Sequence, residues 1–353
     1  MARADFLLVS EVTVVEYTKE WLSIEEQVNK LRSRGVEVTD SAACKRLLLA
    51  TGYYRLTGYL YPFRKSMVWT DGNGKEVRTI LSDYQPGTSV TQVQKLIDFD
   101  RKLRLLILDG IERVEVSLRM QIGYILGQRS PYAHLAESTF IAGFTEQILI
   151  EDESEEEGSG HTTSKFDQWK AHLRHSQDSS KEEFVKHFTN KYDGNLPIWV
   201  LTEIMELGQL GKLYRALQND LATAIAEAFE VPRKQWMSSW VASLNYVRNV
   251  AAHHARLFNR KLVYPPSRPP NNQIPLLAHL RSGEMPKEFG VYSAFAVIAY
   301  LLRTIEPGSA WPKRVATLVA DFPESAQLSK RSMGFPDNWL QEQLWTVSDD
   351  SSV

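Results

Sequence analysis

The chain of 353 residues contains a single cysteine, Cys44. One cysteine excludes an internal disulfide and any zinc site built from cysteine pairs, and we expect Cys44 to pack as a small apolar residue. No stretch reaches the ~18 uncharged apolar residues that a membrane-spanning helix needs. The first residues also lack the pattern of a signal peptide. These absences predict a cytoplasmic protein that has no membrane partner.

Several common catalytic motifs are missing as well. The histidines do not form the His-x3-His or His-Glu-x2-His spacing of zinc sites. The segment from Gly208 to Lys212 resembles a phosphate-binding loop only superficially, because its spacing is wrong and the Ser or Thr is absent. No Gly-x-Ser-x-Gly nucleophile motif occurs. We therefore expect neither a metal ion nor a cofactor.

Acidic residues are absent from one long stretch of the chain, between Glu230 and Glu284. The formal net charge of the whole chain is only −2, so the positive bias is local. The basic residues of this stretch are Arg233, Lys234, Arg248, Arg256, Arg260, Lys261, Arg268 and Arg281. Such a local field suits a polyanion such as RNA. The alternative is a positive surface that merely balances an acidic run elsewhere.

Within this stretch, Arg248, Asn249 and His253 lie within six residues of one another. They fall in a segment from Trp236 to about Asn259 that is predicted to be helical. The chain has a second Arg-x4-His match, from Arg129 to His134, but a proline in its middle breaks a helix, so we interpret that match as chance.

The helical spacing predicts one polar face around this motif. At about 100° per residue, Asn249 and His253 are one turn apart and face the same way. Arg256 and Arg260 are predicted to continue that face within about 60° of arc. Arg248 lies to one side and is long enough to reach the face from its edge.

These residue types are the ones needed to cleave an RNA phosphodiester without a metal ion. We assign His253 as the general acid or base, since histidine exchanges protons near neutral pH. Arg248 is the predicted stabiliser of phosphoryl charge, because its guanidinium stays protonated and binds two oxygens at once. Asn249 is the predicted positioning residue, and His254 is expected to be structural or supporting.

The pattern of apolar residues predicts a mostly helical, all-α protein. Predicted helices cover residues 21–34, 40–50, 90–128, 197–218, 236–259 and 290–304. A short β-hairpin is predicted near residues 68–78. The aromatic run at 53–63 is interpreted as a packed hinge segment, with a base-stacking surface as the alternative. Residues 151–160 form an acidic, solvated loop by composition.

A three-part organisation follows from this pattern. Residues 1–88 are predicted to form a helical region with the hairpin, 89–305 a helical core, and 306–353 a helical extension. Within the core, Glu112, Glu115 and Arg119 share one face of the long helix. We interpret them as a solvated stripe, with a polar lining of the active-site cleft as the alternative.

Several segments, in order along residues 20–305, resemble the Abi-like family of abortive-infection proteins (AbiD/AbiF type) in the HEPN ribonuclease superfamily. The segments that carry the resemblance are Gln27–Gly35, Gly52–Tyr59, Ile111–Arg119, Pro197–Val200, and Arg248–Asn249 through His253–His254 followed by Arg256 and Asn259–Arg260.

The resemblance implies a helical HEPN core, a role in antiphage defence and an RNA substrate. It also implies a homodimer, because two HEPN motifs usually build one composite site and this chain has one credible motif. Relatives are likened to ancestors of RNA-guided nucleases, which adds a small noncoding RNA to the partners that the resemblance implies.

The sequence thus predicts a metal-independent endoribonuclease of antiphage defence. Its catalytic residues would be Arg248, Asn249 and His253. Supporting or RNA-binding roles are predicted for His254, Arg256, Arg260, Glu115 and Arg119. One alternative is a non-catalytic protein that binds or senses RNA. Another is an antitoxin-like scaffold that uses the motif helix as an interface, against which the basic segment argues because interface cores are depleted of charge.

Overall fold

A computed structural model describes residues 16, 18–151, 160–192, 194–283, 285–286 and 290–346. Its described part is mostly helical, which confirms the predicted all-α class. The compact units are residues 1–94 and 95–353. The three-part division at residues 88 and 305 stays a prediction about domains.

The first unit contains three helices and a hairpin within its described residues. They are α1 Ile24–Ser33, α2 Ser41–Thr51, α3 Tyr53–Leu60, β1 Arg64–Thr70 and β2 Glu76–Tyr84. Asp40 caps α2 as predicted, since its carboxylate accepts a hydrogen bond from the N–H of Ala43 over 2.9 Å. Gly52 ends α2 with a φ of 77°, a backbone conformation that favours glycine.

The predicted hairpin is confirmed and is longer than residues 68–78. Strands β1 and β2 are antiparallel, with Trp69 opposite Val77. The carboxylate of Asp71 accepts main-chain N–H bonds from Asn73 and Lys75 over 3.0 and 2.9 Å, which stabilises the turn.

The aromatic segment is helical and mostly packed. Leu56, Tyr59 and Phe63 are buried, which supports the packed interpretation. Tyr54 and Tyr61 are exceptions, with 92% and 49% of their surfaces exposed.

Helix α4, Val90–Gly127, begins in the first unit, and most of its residues belong to the second. The rest of the second unit consists of shorter elements. These are α5 Ala142–Thr145, β3 Ile148–Glu151, β4 Gly160–Thr163, α6 Lys165–Ser179, α7 Glu183–Lys191, α8 Ile198–Leu201, α9 Leu207–Ala216, α10 Asn219–Glu227, α11 Lys234–Ala252, α12 Tyr292–Ile305 and α13 Trp311–Ala320. The helices predicted at 90–128 and 290–304 are confirmed as α4 and α12. Within the described residues, none of these helices combines the length and the apolar character needed to cross a bilayer.

The core of this unit forms around α12, whose residues from Tyr292 to Leu302 are all buried. Gly110 of α4 lies against this helix. A Cβ atom there would come within 2.7 Å of both Ile298 and Trp311, so only glycine allows this approach. The indole N–H of Trp311 donates to the carbonyl of Leu106 over 3.0 Å, which fixes α13 against α4.

The prediction of a single helix from Pro197 to about Gln218 is wrong. The segment divides into α8 and α9, because Glu206 interrupts it and caps α9 reciprocally with Gln209. The glycines Gly208 and Gly211 lie in α9 and permit its close contact with α11. A Cβ atom on Gly211 would lie 3.1 Å from Val241.

The acidic segment lies between two strands that the sequence did not predict. Strands β3 and β4 pair antiparallel, with Ile148 opposite Thr163. Residues 152–159 of the predicted acidic loop, and the terminal residues 348–353, lie outside the described residues.

Candidate active site

Arg248 and Asn249 are half-buried on the last turn of α11 and interact directly. The Nη1 atom of Arg248 donates a hydrogen bond to Oδ1 of Asn249 over 3.2 Å. The main-chain carbonyl of Asn249 in turn accepts the N–H of His253 over 3.0 Å. The three predicted catalytic residues therefore lie within about one and a half turns at the end of α11, and the side chain of Arg248 contacts that of Asn249.

The motif helix ends earlier than predicted. Helix α11 stops at Ala252, and His253 is its C-cap with φ −84° and ψ 15°. The chain then closes the helix with two bonds, His254 N–H to Ala251 O over 3.1 Å and Ala255 N–H to Val250 O over 3.0 Å. This pair of bonds is the Schellman termination.

His254 occupies the position where this termination usually has glycine. Its φ is 57°, in the left-handed region. Histidine is tolerated there better than a branched residue, but its Cβ still opposes the conformation. This backbone reversal leaves both His253 and His254 exposed at the tip of the helix.

The predicted continuous face of Asn249, His253, Arg256 and Arg260 is therefore wrong, because the last two residues follow the end of the helix. Arg260 turns back to α11, where its Nε atom donates to the hydroxyl of Tyr246 over 3.0 Å. The guanidinium of Arg256 lies 6.0 Å from the centre of the Phe258 ring.

A buried carboxylate on α4 fixes the segment that follows the histidines. Asp100 is fully buried and forms an ion pair with Arg104 one turn later. Its carboxylate accepts the main-chain N–H of Leu257 over 3.1 Å and that of Phe258 over 2.8 Å. Asp100 was not among the residues predicted from the sequence; the available signal was an Asp–Arg pair at a spacing of four within the apolar face of α4.

Glu115 and Arg119 of α4 form a second polar element of the site. The guanidinium of Arg119 donates to Glu115 over 2.6 Å and to the carbonyl of Met205 over 3.0 Å, which ties α4 to the start of α9. Both side chains are largely buried, so the solvated-stripe interpretation is wrong for them, whereas Glu112 is exposed.

The charge of Glu115 links this element to the motif. Burial raises the pKa of the Glu115 carboxyl, while Arg119 and Arg248 act in the opposite direction. Arg248 therefore lies within electrostatic range of Glu115. The alternative, in which Glu115 and Arg119 line an active-site cleft beside the motif, stays a prediction.

The second Arg-x4-His match has no such arrangement. Arg129 forms an ion pair with Asp220. His134 is buried, and burial lowers the pKa of its imidazole to about 4. Arg129 and His134 therefore do not form an accessible pair of catalytic groups, which agrees with the interpretation of this match as chance.

The site can bind an anion and exchange a proton. Arg248 presents a fixed cation, His253 presents an exposed imidazole, and Asn249 holds the arginine from the side. Across the described part of the chain, no cluster of three or more His, Cys, Asp or Glu side chains is arranged to hold a metal ion.

Comparison with known proteins adds one finding about the whole chain. A family model described as Abi-like protein matches residues 46–259, which is more than half of the chain and includes the motif. No curated protein and no solved structure gave a match.

Proposed function

The chain belongs to the Abi-like protein family, which suggests a role in abortive-infection defence, and we propose that it is an endoribonuclease of the HEPN type that cleaves RNA without a metal ion. The observation that carries this proposal is the single turn at the end of α11. It combines the Arg248–Asn249 hydrogen bond with an exposed His253 in the acid-free, basic segment.

The proposed reaction is an intramolecular transesterification. The ribose 2′-hydroxyl gives up its proton to a base and attacks the adjacent phosphorus atom. The bond from phosphorus to the 5′-oxygen breaks, and that oxygen receives a proton from an acid. The products are a 2′,3′-cyclic phosphate and a 5′-hydroxyl. His253 takes part in the proton transfers, and Arg248 neutralises the charge on the non-bridging oxygens.

Two proton transfers favour two histidines, and one chain offers one motif. We therefore propose a homodimer in which each copy contributes an Arg248 and a His253 to a shared site. An apolar stripe on α4, consisting of Val116, Met120 and Tyr124, supports this proposal, because each of its side chains is at least half exposed. Val116 and Met120 follow Glu115 and Arg119 by one residue each, about 100° around the helix, so a second copy seated on the stripe would approach the side of α4 next to these two residues.

The homodimer is tested by mixing. His253→Ala protein added to wild-type protein should lower cleavage below the value expected from dilution, because mixed dimers hold an incomplete site. Cleavage that falls only with dilution, by a protein that sediments as a monomer, would contradict the shared site.

A non-catalytic RNA-binding protein is the alternative, and one experiment separates the two functions. Wild-type and His253→Ala proteins are compared for cleavage and for binding of the same single-stranded RNA. Loss of one general acid or base costs about 10²–10⁴-fold in rate, so cleavage should fall by that amount while binding persists. Binding by both proteins without any cleavage would favour the alternative.

A further inference from the structure

A pocket of about 420 Å³ lies between α5, α6 and α9 in the second unit. Its size is in the range of small-molecule sites. None of its lining residues belongs to the turn that carries Arg248 and His253. The pocket is therefore a feature that the proposed cleavage reaction does not use.

One side of the pocket is aromatic and rigid. Phe144 and Trp169 both line it, with ring centres 6.3 Å apart. Phe166 stacks behind Trp169 at an angle of 19°, which holds the indole in place. The indole N–H of Trp169 has no hydrogen-bond partner within the described part of the chain. The N–H is itself buried, so this wall offers a ligand an apolar aromatic edge rather than a hydrogen-bond donor.

The other side of the pocket is positively charged. Lys165, Lys212 and Arg215 line it, and all three side chains are exposed. Lys212 and Arg215 are three residues apart on α9 and so point the same way. The described lining residues include neither Asp nor Glu. This rim can therefore bind an anion without repulsion from a lining carboxylate.

A histidine completes the rim. Nδ1 of His172 lies 2.7 Å from the carbonyl of Gln168, and since a carbonyl only accepts, Nδ1 carries the proton. Nε2 of His172 remains available to a ligand as an acceptor, or as a donor when the ring is charged.

We propose that this pocket binds a nucleotide. The base lies against Trp169 and Phe144, and the phosphate binds Lys212 and Arg215. Aromatic stacking is tolerant of base identity, whereas the cations require a phosphate. The same chemistry is presented by a free mononucleotide and by one nucleotide of an RNA strand.

The test uses the full chain with His253→Ala, so that RNA stays intact during the measurement. Binding of adenosine 5′-monophosphate, guanosine 5′-monophosphate and adenosine is measured by calorimetry. Binding of a short single-stranded oligoribonucleotide is measured by fluorescence anisotropy. The pocket variant is Lys212→Glu with Arg215→Glu. The control is Arg174→Glu with Lys181→Glu, which makes the same change of charge at exposed positions outside the pocket.

If the pocket is a site for free nucleotides, the monophosphates should bind the control protein. Their affinity for the pocket variant should be lower by more than about tenfold, because each charged hydrogen bond lost costs roughly a factor of ten in affinity. Adenosine should bind as weakly as the monophosphates bind the pocket variant. If only the oligoribonucleotide distinguishes the two proteins by that factor, the pocket takes a nucleotide of an RNA strand.

Equal affinities of the pocket variant and the control for every probe would overturn the proposal. This outcome is independent of catalysis, because binding is measured in a background that already lacks His253. A chain that cuts no RNA at all can still show, or fail to show, a nucleotide in this pocket.

Discussion

The carboxylate of Asp100 accepts the main-chain N–H of Phe258 over 2.8 Å, from a position 158 residues earlier in the chain. The same carboxylate also binds the N–H of Leu257 and pairs with Arg104. These bonds hold the segment that leaves the turn of His253 and His254. The position of the turn that carries Arg248 and His253 therefore depends on a buried charge on α4.

Replacement of Asp100 by Ala should lower both stability and cleavage. The change leaves Arg104 and two buried N–H groups without this carboxylate, and removal of one member of a buried ion pair costs about 3–5 kcal/mol in the free energy of unfolding. Urea unfolding measures this loss. The matched control is Asp98→Ala, an exposed position on the same helix, which should change the value by less than about 0.5 kcal/mol. Equal effects of the two variants would show that Asp100 does not support the turn.

His254 has a left-handed backbone conformation and an imidazole side chain, and two substitutions distinguish the effects of these two features. His254→Gly should retain or raise thermal stability, since glycine adopts a φ of 57° without opposition from a Cβ atom. His254→Val should lower stability by roughly 1–2 kcal/mol, because a branched side chain fits this region poorly.

Cleavage by the same two variants tests whether the His254 imidazole is needed. If its role is supporting, His254→Gly should retain far more activity than His253→Ala. A dead His254→Gly protein of normal stability, beside an active His253→Ala protein, would reverse the assignment of the two histidines.

The raised pKa of Glu115 predicts a dependence of stability on pH. A carboxyl whose pKa is higher in the folded than in the unfolded protein binds more protons when folded. The contribution of Glu115 to stability is thus greatest in acid and falls as the pH rises from its usual range through its folded pKa. The free energy of unfolding of wild type, minus that of Glu115→Gln, should decrease over this window.

Urea unfolding at several pH values measures this difference. Glu112→Gln, an exposed position on the same helix, retains Glu115 and should follow the wild-type profile. A difference that stays constant or increases with pH would show that burial does not dominate at Glu115.

Arg256 and Arg260 are predicted to contact RNA phosphates although they do not continue the helix. Each Arg→Ala change should reduce the slope of log affinity against log salt by about 0.7 for single-stranded RNA. Tyr246→Phe is the control for Arg260, because it removes the hydroxyl that accepts the Nε bond and keeps the charge. A slope unchanged in Arg260→Ala, with a loss of stability equal to that of Tyr246→Phe, would assign Arg260 a structural role.

The local features of this fold could be predicted from the sequence. Three predictions depend only on neighbouring residues, and the structure confirms them. They are the helix α4 from its apolar periodicity, the cap of α2 at Asp40 and the end of α2 at Gly52. The end of the motif helix was not predictable in this way, because the left-handed position that usually has glycine is occupied by His254.

Contacts between distant residues account for the other missing parts of the site. The Asp100 carboxylate accepts the N–H of Phe258, and Arg119 donates to the carbonyl of Met205. Both hydrogen bonds depend on tertiary packing that no local sequence pattern specifies. The residues of the motif itself could be selected from the sequence because they lie within six consecutive positions.

The chemistry of cleavage in EDTA tests the central proposal most directly. Purified wild-type protein is incubated with single-stranded RNA in excess EDTA, and the termini of the products are identified. We predict 2′,3′-cyclic phosphate or 3′-phosphate ends with 5′-hydroxyl partners, and loss of these products in Arg248→Ala and His253→Ala. A strict requirement for Mg²⁺ or Mn²⁺, with 3′-hydroxyl ends, would contradict a reaction carried by Arg248, Asn249 and His253.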